Sequence, residues 1–357
     1  MKKIGLVTII DNNNYGNRLQ NYALYKYLSK KYDVKTIKNF PENDDHFCKK
    51  SLKKILNKLH YYKLIITKQN NIFRIKSFKN FNKNICFTHK SYSSYELNRL
   101  DYDYYIAGSD QIWNPYHGRL TRIDLLHGVK SNKRISYAAS FGVNEITENN
   151  YINRIKEDIP NFKNISVREN EGRKIIEKLT KREDVEVLID PTMLLTSKEW
   201  DEVSLKPKML KTNRFILNYF LGDLSENRKK SIEKIALENN CEIINILDKN
   251  SPFFKCGPSE FLYLEKNAFL ICTDSFHSSV FAIIYNRPFI IFDREQEGVV
   301  SMSSRLDTLI SKFKLKNRKY NEKEITKENI NHDYKEAYKI LEEEREKSKE
   351  YFDNSII

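Results

Sequence analysis

The sequence predicts an α/β protein of two Rossmann-like halves, each with a parallel sheet, facing each other across a cleft. Three observations predict it. Short apolar runs alternate with amphipathic helical stretches, the pattern of βαβ crossovers. A length of 357 residues suits two domains, at roughly 100–200 residues per domain. Finally, several polar loops follow the strands and lead toward helices, and ligands of open α/β sheets bind at that end.

The elements follow in order. Lys2–Ile10 reads as a strand, and Arg18–Lys31, with Leu19, Ala23, Leu24, Tyr27 and Leu28 at helical spacing, as its helix. Tyr32–Ile37 is the next strand. Lys50–Ile66 places Leu52, Ile55, Leu56 and Leu59 on one face and lysines on the other, as a basic amphipathic helix does. Short strands are expected at Tyr102–Ala107, Arg134–Ser140, Asn164–Val167 and Val185–Ile189, with a helix at Glu171–Leu179. The second half is more regular. Strands at Arg214–Phe220, Glu242–Leu247, Phe269–Cys272 and Pro288–Phe292 alternate with helices at Ser225–Asn239, Pro258–Lys266 and Ser275–Tyr285. Pro258 takes the first helical position, where its missing N–H is not needed. A Glu- and Lys-rich helix, Tyr334–Tyr351, closes the chain. The expected organisation is a first Rossmann-like domain over 1–195 with a basic insertion at about 46–95, a second over 196–330, and a C-terminal helix in 331–357 packing back on the first.

Charge is unevenly placed. The chain has 62 Lys and Arg against 48 Asp and Glu, a net charge of +14. Residues 1–100 hold 21 of those bases and only 6 acids, so the rest is close to neutral. His46–Tyr95 carries twelve bases and no acid. Such a patch can meet anionic lipid, nucleic acid or an acidic ligand. No nucleic-acid module accompanies it, which argues against nucleic acid. An interfacial helix at 49–66 resting on an anionic membrane surface is one expectation, and a merely solvated insertion is the other. The five cysteines are scattered and form no CxxC pair, which excludes a disulfide scaffold and points to a reducing, cytoplasmic setting. The apolar run Ile4–Ile10 stops at Asp11 without a cleavage site, and Val280–Phe292 is interrupted by Asn286, Arg287 and Pro288. Neither a signal peptide nor a membrane span is therefore expected.

Five segments could carry chemistry. The loop Asp11–Asn17, containing Asn13, Asn14, Tyr15 and Gly16 and followed by Gln20, joins a strand to a helix N-terminus, where free N–H groups favour anions. With one glycine it is neither a dinucleotide fingerprint nor a Walker loop. Gly108-Ser109-Asp110-Gln111 follows the strand at Tyr102–Ala107 and presents donors and acceptors; Asp110 could take a hydroxyl proton or simply cap a turn. Ser166-Val167-Arg168-Glu169 offers a guanidinium for a carboxylate or phosphate, or an ordinary ion pair. In Thr273-Asp274-Ser275-Phe276-His277, Asp274 or Ser275 can cap the helix and His277 lies in its first turn, placed to hold an oxyanion or move a proton. Arg305, in Ser301–Leu306, could reach the same crevice. HExxH, CxxC and calcium-loop patterns are absent, so no metal is expected. Asp101-Tyr102-Asp103 has DxD spacing but precedes its strand, and no GxSxG elbow is present.

Taken in order, the segments resemble the polysaccharide pyruvyl transferase family. The matching stretches are Asn13–Asn17 with Leu19-Gln20 and Tyr22-Ala23-Leu24, Gly108–Asn114, Ser136–Gly142, Ser166–Glu169, Asp190-Pro191-Thr192, Thr273–His277 and Ser304-Arg305. Ser278 departs from the pattern, standing where the family commonly has Gly. The resemblance implies a GT-B-like fold and a reaction moving pyruvate from phosphoenolpyruvate, as co-substrate without further cofactor, onto two hydroxyls of a sugar as a ketal. The glycan would belong to a cell-surface polysaccharide or its lipid-linked precursor, placing the protein in the cytoplasm or at the inner face of the membrane. The resemblance further implies His277 and Asp110 as catalytic groups and Arg168, Arg305, Ser275 and Phe276 at the phosphoenolpyruvate. Asn13, Asn14, Tyr15, Gly16, Gln20, Ser109 and Gln111 would line the acceptor side. The alternatives are a sugar-nucleotide-dependent glycosyltransferase of the same fold and a basic membrane-surface module.

Overall fold

Strands of three to seven residues, mostly buried on both faces, pack as parallel sheets covered by helices, and the chain forms two such sheets. The computed structural model describes residues 1–39, 69–295, 304–322, 324–331 and 333–357. The amphipathic basic helix expected at 50–66 and the membrane contact expected at 49–66 lie outside the described residues. Among those that are described, no helix is long and apolar enough to cross a membrane.

The first sheet contains β1 (Lys3–Val7), β2 (Asp33–Asn39), β3 (Phe87–Tyr92), β4 (Tyr104–Ala107) and β5 (Arg134–Ser136). Their spatial order is β3-β2-β1-β4-β5, all parallel. A parallel pair, β6 (Ile165–Val167) and β7 (Val185–Val187), continues beside β5 through bridges at Ile135–Asn164 and Ala139–Val167. Four parallel strands make the second sheet: β8 (Phe215–Tyr219), β9 (Glu242–Asn245), β10 (Leu270–Thr273) and β11 (Phe289–Ile291), in the order β11-β10-β8-β9. In each sheet the order reverses between its first strand and a later neighbour, β1 against β4 and β8 against β10. Crevices open at the carboxyl ends of such strand pairs, and all but two of the segments singled out in the sequence begin there.

Helices cover these sheets; those used below are α1 (Tyr15–Leu28), α2 (Gln69–Phe81), α3 (Pro258–Asn267), α4 (Phe276–Ile284), α5 (Ser304–Lys312) and α6 (Lys335–Ser355). Two differ from expectation. α1 begins at Tyr15 rather than Arg18, because Asn14 accepts from the Asn17 N–H and caps it. The expected insertion at 46–95 is also partly framework: α2 is a crossover helix and β3 an edge strand pairing with β2. Edge strands tolerate charge, so Phe87-Thr88-His89-Lys90-Ser91-Tyr92 lacked the apolar signature of its neighbours.

One core runs through both halves. Tyr15 stacks on Phe261 of α3 at 4.5 Å and on Phe78 of α2 at 5.1 Å, while Trp200 meets Phe281 of α4 at 5.1 Å. α6 straps the halves together. Its first turns bind the second half, Tyr338 Oη donating to the Ile284 carbonyl. Its last turns bind the first sheet, Tyr351 Oη donating to the Ser136 carbonyl at 2.6 Å and Phe352 stacking on Tyr137 at 4.5 Å. Phe352 is buried, so Phe352→Ala should cost about 3–5 kcal/mol of stability, read as a lowered urea midpoint.

Candidate active site

The site forms where the two crevices meet. The first turns of α1 and α4 touch, Gly16 of the one lying against His277 of the other, and backbone N–H groups at a helix N-terminus favour anions. Ser275 is the N-cap residue of α4, but its side chain makes no capping bond. Asp274, the other expected cap, instead accepts from the Leu221 and Gly222 N–H groups at 2.7 and 2.8 Å and from Arg294 Nε at 3.1 Å. The first turn of α4 thus keeps its donors.

His277 projects from that turn onto α1. A Cβ built on Gly16 would lie 2.0 Å from its Nδ1 and 2.3 Å from its Cγ. Gly16 is therefore the bare patch of helix on which the imidazole rests. On the other side, Nε2 lies 3.6 Å from Asp190 Oδ2, an electrostatic contact longer than a hydrogen bond, and it is buried without a hydrogen-bond partner.

Arg168, following β6, sits in the middle of a ring of acids. Its Nη1 donates to Asp190 Oδ2 at 2.7 Å, Nη2 lies 3.5 Å from Asp110 Oδ1, and Nε lies 3.9 Å from Glu169 Oε2. Burial works against its charge, but Asp190, Asp110 and Glu169 raise its pKa above the ordinary value. Nε and Nη2 have no hydrogen-bond partner. The guanidinium stands 4.5 Å over the Phe276 ring, and that of Arg305 stands 5.9 Å from the same ring. Burial, together with the charge of Arg168, pushes the Arg305 pKa down to about 10. The Gln111 amide, oriented by its neighbours, accepts from both terminal nitrogens of Arg305 at 2.8 and 2.6 Å.

Asp110 follows Gly108, whose φ of +134° and close approach to the Tyr137 carbonyl leave no room for a Cβ. Burial would raise its pKa, but His277, Arg168 and Arg305 outweigh burial and hold it below the usual value. Asp190 is likewise held below its usual value: burial is again opposed, here chiefly by His277 and Arg168. Behind α4, Ser278 donates to Glu265 Oε1 of α3 at 2.5 Å, and burial drives that carboxyl well above its normal range. The hydroxyl at this departure from the family pattern thus serves a buried acid.

Arg168, Arg305, Phe276, Ser275, His277 and Asp110 gather in this corner. Most residues expected on the acceptor side are committed elsewhere. Asn14 caps α1, and Asn13 accepts from Arg74 Nε at 2.6 Å. Tyr15 donates to the Cys256 carbonyl inside the core. Gln20 bridges Thr8 and the Ser109 N–H, and Ser109 Oγ donates to the Ala138 carbonyl. The earlier start of α1 explains much of this, since it turns loop residues into helix. Three participants were given no role of their own by the sequence reading. Arg74, hidden among lysines, stacks 4.4 Å from Tyr15 and donates to the Phe254 carbonyl across the halves. Asn17 donates to Asp110 Oδ2. Asp190 was visible only as a motif member, although Asp-Pro-Thr is a turn signal. Elsewhere, His127, Glu157 and Asp158 come within ligating distance of one another, but Arg122 and Arg134 occupy that cluster.

Two parallel α/β sheets whose carboxyl ends open into one shared cleft define a protein of the GT-B-like class. The family model for polysaccharide pyruvyl transferase matches residues 14–296, and the chain belongs to that family. No curated protein matches it. Among solved structures, it is similar to the UDP-GlcNAc 2-epimerase of Methanocaldococcus jannaschii, with 16% identity and a TM-score of 0.44 over 96% of this chain and 99% of that one. The Neisseria meningitidis UDP-GlcNAc 2-epimerase gives 11% and 0.45 over 100% and 94%. MurG of Acinetobacter baumannii gives 9% and 0.39 over 97% and 95%.

Two outcomes follow from the geometry. Gly16→Ala should lower the melting temperature despite the better helix propensity of Ala, because the overpacked imidazole costs about 1–3 kcal/mol. Asp110 has a depressed native pKa, so it stabilises the fold above the unfolded value of about 4, and that contribution disappears as pH falls through the native value. In thermal melts, Asp110→Asn should therefore trail the wild type at pH 6–7 and converge on it below about pH 4.

Proposed function

We propose that the chain transfers pyruvate from phosphoenolpyruvate onto two hydroxyls of a sugar, forming a ketal on a cell-surface polysaccharide or its lipid-linked precursor. One observation carries the reading: buried, unpartnered donors converge beside Phe276. Arg168 Nε and Nη2 and His277 Nε2 have no hydrogen-bond partner, and the uncapped first turn of α4 adds backbone donors. Buried donors of this kind ask for an acceptor. A ligand bearing both a carboxylate and a phosphate meets that demand.

The chemistry can be set against the residues. A proton must reach C3 of the enol, leaving C2 electrophilic. One sugar hydroxyl adds to C2 and loses its proton, phosphate departs with the C–O bonding pair, and the second hydroxyl closes the ketal. Of the two hydroxyl protons released, one balances the proton placed on C3 and the other leaves with phosphate. His277 is assigned to moving a proton or to stabilising the departing phosphate, and Arg168 and Arg305 to holding the two anionic groups. Asp110, kept ionised by its cationic neighbours, is assigned to the acceptor hydroxyl.

The test is release of phosphate from phosphoenolpyruvate in the presence of glycan acceptors, with ketal formation followed by mass spectrometry. His277→Ala should lower turnover by roughly 10²–10⁴-fold. Phosphoenolpyruvate should raise the melting temperature of the wild type; stabilisation by UDP- or GDP-sugars alone would instead favour a glycosyltransferase.

A further inference from the structure

The proton chemistry assigned to His277 requires the ring to be held still, and α4 alone holds only its backbone. We infer that Asp190 is the positioning residue of His277, fixing the imidazole from the opposite wall of the cleft and balancing the charge it takes up; this rests on the function proposed for His277.

Three observations meet here. First, Asp190 is itself immobilised. Its Oδ1 accepts from the Thr192 N–H at 3.0 Å and from Thr192 Oγ1 at 2.7 Å, while Oδ2 accepts from Arg168 Nη1 at 2.7 Å. A carboxylate pinned at both oxygens makes an accurate reference point for a neighbour. Second, its Oδ2 is the carboxylate oxygen at ion-pair distance from the ring, 3.6 Å from Nε2. At that distance the carboxylate acts as an ion-pair partner rather than a hydrogen-bond acceptor, which leaves Nε2 to meet the ligand. Third, Gly16 closes the opposite side of the ring, so helix and carboxylate grip it between them.

The other charges near the ring are differently engaged. Asp110 acts on His277 through space, but its Oδ2 is taken by Asn17 at 3.1 Å. Arg168 is paired with Asp190 itself, and Arg305 stands over Phe276. Arg18 of α1 donates to Asn17 and to the Ile9 carbonyl, and Glu265 accepts from Ser278. Sharing Oδ2 between Arg168 and His277 also has a consequence during binding. An anion that draws Arg168 toward itself leaves more of the Asp190 charge for the imidazole, so donor binding and proton retention reinforce each other.

A histidine-labelled NMR titration decides the matter, His277→Ala identifying the signal among seven histidines. In Asp190→Asn the His277 midpoint should fall by about one pH unit or more. Phosphoenolpyruvate-dependent kcat should fall roughly 10²-fold, more than KM changes, with its pH profile displaced in the same direction. An unchanged midpoint in folded Asp190→Asn would overturn the inference and show that Asp190 only pairs with Arg168. A lowered midpoint with no phosphate release by the wild type would uphold the pairing and reject the donor reading. If Asp190→Asn does not fold, Asp190→Glu keeps the charge but moves the oxygens. A changed His277 midpoint there supports the inference; a wild-type midpoint overturns it.

Discussion

The architecture turns on the contact between Gly16 and His277. Two helix N-termini from different sheets approach until a side chain of one lies on the bare backbone of the other. Any residue with a Cβ at position 16 would hold the halves apart or push the ring aside, and neither the crevice nor its charge network would keep its form. Around this contact the surrounding structure has a clear purpose. The aromatic stack of Tyr15, Phe78 and Phe261 fixes the entry of α1, and Arg74 ties the preceding loop to the second half.

Electrostatically, the site is nearly self-balanced. Asp110, Asp190 and Glu169 surround Arg168, with Arg305 and His277 nearby. A lone buried guanidinium would be costly to desolvate, and three buried acids without it more so. Together they maintain charge in a place that excludes water, which leaves donors unsatisfied without unfolding the corner. The chain's +14 surplus contributes little to this balance. The bases of the acid-free stretch lie largely outside the described residues, and among the described ones Arg74 reaches the loop beside the site.

The fold was legible where burial dominates sequence choice. The strands β8 and β10 are largely apolar and wholly buried because both faces are covered, and α4 follows β10 at once. Edge strand β3 was not legible, since one pairing side and much of its surface face solvent. In the site, Arg168, His277 and Asp110 stood out because they follow strands at the end where ligands of α/β sheets bind. Roles were harder to read than positions. Nothing local distinguishes an Asn that caps a helix from one that binds a sugar; the distinction depended on α1 starting at Tyr15. Arg74 was illegible for another reason, since its partners Tyr15 and Phe254 are remote in sequence.

The strap formed by α6 bears on how the molecule comes apart. Its first turns hold the Ile284 and Arg287 carbonyls through Tyr338 and Tyr334, and its last residues reach Tyr104, Lys163 and Ser136 on the first sheet. Neither half completes its packing until α6 has been made. The two halves therefore do not melt as independent beads on a string. During synthesis the first sheet is made long before the helix that seals it, so the Tyr137 face needs shielding until α6 has followed.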